Sequence, residues 1–375
     1  MSASSASLPA KAINRFGFRL LAELVKDEPD NLVISPAGLA IALMLACNGA
    51  AGETQQAIMR ALGIEGYGLN KLNQSYAGLL SAWPTLDRRI DIRMANSVWV
   101  SESAQLKPAF RQLSETIYRA AVQNVVFDTS AVTIINDWAA QETGGRIREL
   151  LGPGVLTPET LMVLLNAVYF KGAWMRAFDP KLTQAGTFTR ADGTTQPAML
   201  MQQSGRFDYF SDEQAQVVRL PYGEGRAGMV IALPRPEVRI GTFVRSLGVE
   251  QSAKWAGLLM SREGNVVLPR FKVESALRLN ESLGALGMEI AFTGRADFSA
   301  MFVEEKARIS LVQHQTFVEV NEEGAEAAAA TAAVLSRSLS LAPPPFRFVA
   351  DRPFCFAIED SQTGAILFLG IVTHL

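Results

Sequence analysis

Between Ser35 and Gly49 the chain reads SPAGLAIALMLACNG, apolar on nearly every side of a 3.6-residue period. Ser35 suits an N-cap, Pro36 the first helical position and Gly49 a stop, so the run predicts a helix buried all round. TIINDWAAQETGG predicts a second helix that ends at Gly144-Gly145. Beyond it the period shortens. LMVLLNAVYFKG, QVVRLPY, GMVIALP and NVVLPRFKVES are β-rich runs bounded by Pro and Gly. ISLVQHQTFVEV is strand-like as well, and PFCFAIED, the turn SQTG and AILFLGIVTHL predict a C-terminal hairpin. Helix signals dominate the first 160 residues and strand signals the remainder. With no internal repeat and no linker, the pattern predicts a single α+β domain over residues 1–375 with at least one large sheet.

Composition narrows this picture. A chain of 375 residues, 49% hydrophobic and 19% charged, can bury a large core. Thirty-five basic against 37 acidic residues leave a net charge of −2, which implies no nucleic-acid partner and no attraction to an anionic membrane. The longest apolar runs, GLAIALMLAC and LMVLLNAVYF, are too short to span a bilayer. The opening MSASSASLPA lacks the charged and apolar regions of a secretory signal. Cys47 and Cys355 lie far apart in apolar runs, which predicts buried thiols rather than a disulfide framework.

Candidate chemistry is sparse. GEGRAG, Gly223 to Gly228, has the spacing of a dinucleotide-binding loop, but the strand-like MVIALP follows where a helix is required, so a hairpin turn is expected. A hydrolase would need a histidine base near a nucleophile. Only His314, inside a strand-like run, and the penultimate His374 exist, and no cluster has metal-ligand spacing. The expectation is a protein that is not an enzyme, with no catalytic residues, no metal and no cofactor.

The odd segment is EEGAEAAAATAAVLSRSLSLAPPP, Glu322 to Pro345. An exposed alanine-rich helix is one reading, since alanine is the best helix former, although such a helix has no apolar stripe to dock. The other is that the residues are small because the segment must occupy two places, outside a sheet and later between its strands.

At this point the sequence resembles the serpins over nearly its whole length. NEEGAEAAAATAAV is similar to the hinge of the serpin reactive-centre loop, NLVISPAGLAIALMLACNGAAGET to the early helix of the family, and NAVYFKGAW to the segment at the top of the large sheet. RADFSAM and DRPFCFAIEDSQTGAILFLGIV match its late signatures. The resemblance implies a serpin fold: N-terminal helices packed on a large central sheet, smaller sheets, and an exposed loop at about residues 322–345. It implies an irreversible suicide inhibitor of serine proteases and some cysteine proteases. The protease attacks a bait bond, and the freed hinge then inserts into the sheet while the acyl-enzyme is trapped, an established case of strand addition in this family. A strand of about a dozen residues at ~1 kcal/mol per hydrogen bond supplies on the order of ten kcal/mol, released from a metastable fold.

By resemblance the hinge comprises Glu322, Glu323, Gly324, Ala325, Glu326, Ala327, Ala328, Ala329, Ala330 and Thr331. Ser35, Asn166 and His314 match the shutter under the sheet; Trp174, Arg270 and Glu322 match the breach where the loop first enters. Two positions depart from the family pattern, Gly38 in place of a shutter serine and Ala325 in place of Thr or Ser; neither is bulky or charged, so insertion is expected to survive. Counting along the loop places the cut between Ser338 and Leu339, or one residue earlier between Arg337 and Ser338. The first suits an elastase-like and the second a trypsin-like protease. The alternative within the family is a non-inhibitory carrier or chaperone, which usually has an obstructed hinge; this hinge is clean. LDRRIDIR offers no basic helical face, so no polyanion cofactor is expected. The resemblance further implies a monomer and favours an extracellular setting.

Overall fold

The computed structural model describes residues 7–25, 29–304, 307–323 and 344–375. Its helices of seven or more residues are α1 (Leu8–Leu24), α2 (Pro36–Gly49), α3 (Gly52–Leu62), α4 (Leu69–Ala82), α5 (Pro108–Thr116), α6 (Thr129–Glu142), α7 (Ile240–Ser246) and α8 (Val249–Leu258). The strands are β1 (Leu32–Ile34), β2 (Ile90–Ser101), β3 (Ala121–Val125), β4 (Met162–Gly172), β5 (Gln184–Thr189), β6 (Thr195–Ser211), β7 (Ala215–Tyr222), β8 (Ala227–Pro234), β9 (Met260–Pro269), β10 (Phe271–Arg278), β11 (Leu311–Val320), β12 (Phe346–Val349), β13 (Phe354–Asp360) and β14 (Ile366–Val372).

Among the described residues the strands form two sheets. The larger has nine strands in the order β1-β14-β13-β8-β7-β6-β9-β12, with β5 paired on β6. The smaller has five, in the order β10-β11-β4-β2-β3. Within it β11 and β4 are parallel and in register from Leu311 opposite Val163 to Val318 opposite Phe170. Antiparallel neighbours, β10 and β2, flank this pair.

Helix α2 lies between the sheets, packed on β14 from one and on β4 and β2 from the other. Only such a site suits it, because thirteen of its fourteen residues are buried and a helix apolar on all sides has no face to give to water. Ser35 starts it, its Oγ accepting the Gly38 N–H at 3.1 Å. The opposite face of the five-stranded sheet carries a separate core, in which Ala131, Ile135 and Ala139 of α6, which packs on β2, cluster with Ala95 and Trp99 of β2 and Val163, Leu165 and Ala167 of β4. β4 is therefore buried on both faces, which explains its unbroken apolar run.

The predicted hairpins form: β13 pairs antiparallel with β14, and β7 with β8. The turn of the second contains Gly223 and Gly225 at φ of 54° and 89°, backbone angles that favour glycine, in place of any phosphate loop. Helix does dominate the first 160 residues, with the twelve-residue β2 running through them, and the later part is mainly strand, interrupted by α7 and α8. Two expectations need correction. NVVLPRFKVES is two strands in different sheets, β9 and β10, divided at Arg270. Pro269 at the end of β9 was the available sign of that break. Finally, the sheet that leads into Glu322 is the five-stranded one and not the larger.

At the far end of the chain, Asn31 staples the C-terminal segment. Its Oδ1 accepts the N–H of Thr373 at 2.7 Å and its Nδ2 donates to the carbonyl of His374 at 2.8 Å.

Candidate functional site

Two constellations flank the β4–β11 seam. The first sits where the chain leaves β11. Glu322 accepts from Arg270 through Nε, at 2.8 Å to each carboxylate oxygen, and through Nη2 at 2.6 Å to Oε1. Thr183 adds a hydroxyl donor at 2.5 Å. The Glu322 side chain is 6% exposed and that of Arg270 46%, so the carboxylate is enclosed while the guanidinium reaches water. Burial alone would raise the Glu322 carboxyl; the hydrogen bonds from Arg270 and Thr183 outweigh it and hold the group below the usual glutamate range. The backbone is fastened too. Trp174 Nε1 donates to the Asn321 carbonyl at 2.9 Å and the Phe178 N–H to the Glu322 carbonyl at 3.0 Å. Trp174 is itself held by stacking on Tyr222, with ring centroids 4.2 Å apart and planes 11° from parallel. The geometry thus brings Trp174, Arg270 and Glu322 together.

The second constellation lies under the middle of the sheet. His314, Asn166 and Asn96 occupy one register row across β11, β4 and β2. Ser35 donates its N–H to His314 Nε2 at 2.9 Å and its hydroxyl to the Leu367 carbonyl at 2.7 Å. Nε2 therefore accepts, which places the proton of the neutral ring on Nδ1. Burial pushes the imidazole down to about 3 from 6.5, and an interaction with the Asn166 backbone offsets only part of that; Nδ1 itself makes no hydrogen bond of good geometry. Asn166 Nδ2 donates to Asn96 Oδ1 at 2.8 Å. A Cβ on Gly38 would stand 2.7 Å from Asn166 Oδ1 and 2.8 Å from Val168 Cγ2, so this chain brings α2 so near β4 that a side chain at position 38 must displace one of them. The expected serine has no room in this packing.

Sequence reasoning missed Thr183, Asn96, Asn321 and Tyr222. Only Asn96 carried a signal, an amide in the apolar half of β2; the others act through contacts between segments distant in sequence. Glu323 is described and is exposed. Gly324, Ala325, Glu326, Ala327, Ala328, Ala329, Ala330, Thr331, Arg337, Ser338 and Leu339 lie outside the described residues.

The family model "Serpin (serine protease inhibitor)" matches residues 11–375. Serpin B6 of Macaca fascicularis is 36% identical over 370 residues, 96% of this chain and 98% of the relative. Serpin-Z2A of Triticum aestivum is 33% identical over 377 residues, 96% and 94%. Among solved structures, the thermophilic serpin tengpin in the native state is similar with a TM-score of 0.88 at 28% identity, covering 100% of this chain and 96% of that one. Uncleaved ovalbumin is similar at the same TM-score with 27% identity, covering 98% and 100%. Matched from residue 11 onward in sequence and along its length in architecture, the chain belongs to the serpin family.

Proposed function

We propose that this protein inhibits serine proteases of trypsin-like or elastase-like specificity by offering the segment 322–345 as bait and inserting its hinge between β4 and β11 after cleavage. One observation carries the reading: the strand that ends beside the hinge, β11, is parallel to its neighbour β4. A chain that reverses after β11 and returns through the seam runs antiparallel to both partners, the more stable pairing on each side. Opening the seam sacrifices one ladder of eight registered positions and insertion makes two. The net gain of roughly eight hydrogen bonds is worth about 8 kcal/mol at ~1 kcal/mol each. Glu322, held by Arg270 and preceded by Asn321, whose carbonyl accepts from Trp174, marks the pivot. Ser35, Asn166 and His314 form the polar cluster beneath the seam that must part and reclose, and residues 1–375 act as one domain.

The test is incubation with trypsin, elastase and chymotrypsin. The expected result is a covalent adduct that survives denaturing electrophoresis, with a loop-cleaved form far more heat-stable than the intact one. The cut then decides between Arg337-Ser338 and Ser338-Leu339. Cleavage with neither adduct nor gain in heat stability would refute inhibition by insertion.

A further inference from the structure

On the outer face of the seam, opposite the His314 row, Tyr169 of β4 and Phe317 of β11 are direct register partners. Their ring centroids are 5.6 Å apart with planes tilted by 39°. Each ring is capped by a cation from a different segment. The Arg146 guanidinium stands over Tyr169 at 5.3 Å, carried there by the turn that follows α6, and the Lys272 ammonium of β10 stands over Phe317 at 4.7 Å. Four segments are thus joined across the face of the sheet by one continuous cation-ring-ring-cation stack. Lower down the same face, the seam is covered at Val163, Leu165 and Leu311 by the separate core to which α6 contributes. The stack lies beyond that cover, one register step from the last paired position, Val318 opposite Phe170, at the end from which Glu322 departs.

We infer that Tyr169, Phe317, Lys272 and Arg146 form a fastening that holds the hinge end of the seam shut and sets the rate at which a strand can enter. The inference rests on the inhibitor reading above. Neighbouring strands lie about 4.8 Å apart, so an inserted strand would separate β4 and β11 to about twice that distance. The two rings would then lose contact, and a continuous stack from Arg146 to Lys272 could not survive. The interaction exists only in the closed sheet, so it raises the barrier to opening and contributes nothing to the inserted product. Lys272 also ties the device to the pivot, since it lies two residues after Arg270, the partner of Glu322.

The experiment uses the intact protein and a fluorescent peptide copied from its own residues 324–337, with uptake followed by anisotropy. Phe317→Leu and Tyr169→Leu keep an apolar side chain on each strand and remove the ring pair. Each is expected to take up peptide about threefold to tenfold faster than wild type, the range of an aromatic pair expressed as a rate. The double variant should be little faster than the faster single one, because both remove the same contact. Lys272→Gln should give a smaller acceleration in the same direction. Melting of the intact variants should fall while that of their loop-cleaved forms stays at the wild-type value. Wild-type rates in both single variants, or an equal loss of heat stability in intact and cleaved forms, would overturn the fastening. A wild-type protein that takes up no peptide and gains no heat stability on cleavage would overturn the inhibitor reading and the fastening with it.

Discussion

Replacing Glu322 by Gln keeps the shape of the side chain and removes the charge that Arg270 and Thr183 address. Three short Arg270 contacts and one from Thr183 converge on a carboxylate that is 6% exposed. Hydrogen bonds to a charged group are worth ~1.5–3 kcal/mol, and the 46% exposure of Arg270 places this pair in the lower half of that range through solvent screening. A loss of about 2 kcal/mol follows. With unfolding entropy of ~2.1 cal/mol/K per residue over 375 residues, that lowers the melting midpoint of the intact protein by about 2–3 °C. The pH dependence gives a second reading. The folded-state pKa of Glu322 is depressed, so its contribution is complete above the ordinary value of 4.5 and is lost as pH falls through the lower folded-state value. Midpoints of wild type and Glu322→Gln, measured side by side from neutral pH into the acid range, should differ at neutrality and converge below pH 4.5. Identical midpoints at neutral pH, or a gap of constant size down to full protonation, would refute the reasoning.

His314 titrates in a different window. Its folded-state pKa of about 3 lies below the ordinary 6.5, so stability is lost as pH falls from 6.5, by about 1.4 kcal/mol per unit, and His314→Gln should flatten that slope in urea titrations. Gly38→Ala should destabilise the intact protein by about 1–2 kcal/mol, overpacking against Asn166 and Val168 exceeding the helix-propensity gain, as read from the urea midpoint. Neither Cys47 nor Cys355 should react with a thiol reagent near pH 8 in the native protein, because burial pushes both thiols up to about 12; both should react after denaturation. Ala327→Arg should turn inhibitor into substrate, which gel electrophoresis would show as cleavage with no covalent adduct.

Much of the architecture is legible in the chain because single segments declare their own environment. The buried character of α2 follows from its composition, the two-sided burial of β4 from its apolar run, and the hairpins from turn residues between β-rich stretches. The division of NVVLPRFKVES between two sheets escapes a local reading, since both halves look like strand and only the surroundings differ. The same holds around Glu322. Glu322 and Arg270 can be matched by resemblance, but the Thr183 hydroxyl that completes the carboxylate's shell comes from a segment 139 residues away with no motif of its own. The closeness of α2 to β4 is likewise silent: a glycine within an apolar helix says only that a Cβ is missing, and the distance to Asn166 supplies the reason.

The pairing of β1 with β14 joins Leu32 to Ile371 and Ile34 to Leu369, and Asn31 clasps the residues just beyond. During synthesis, β1 therefore waits until residues as distant as Leu369 and Ile371 have been made before its partner exists. Contacts of such sequence separation carry a large closure entropy and are formed slowly. The β13–β14 hairpin follows every other described element, pairs beside β8 and β1 and packs on α2. A ribosome-bound chain lacking it has α2's apolar surface and an open strand edge available to chaperones or to other nascent chains. Truncations that remove β14 should consequently be lost at the stage of biogenesis.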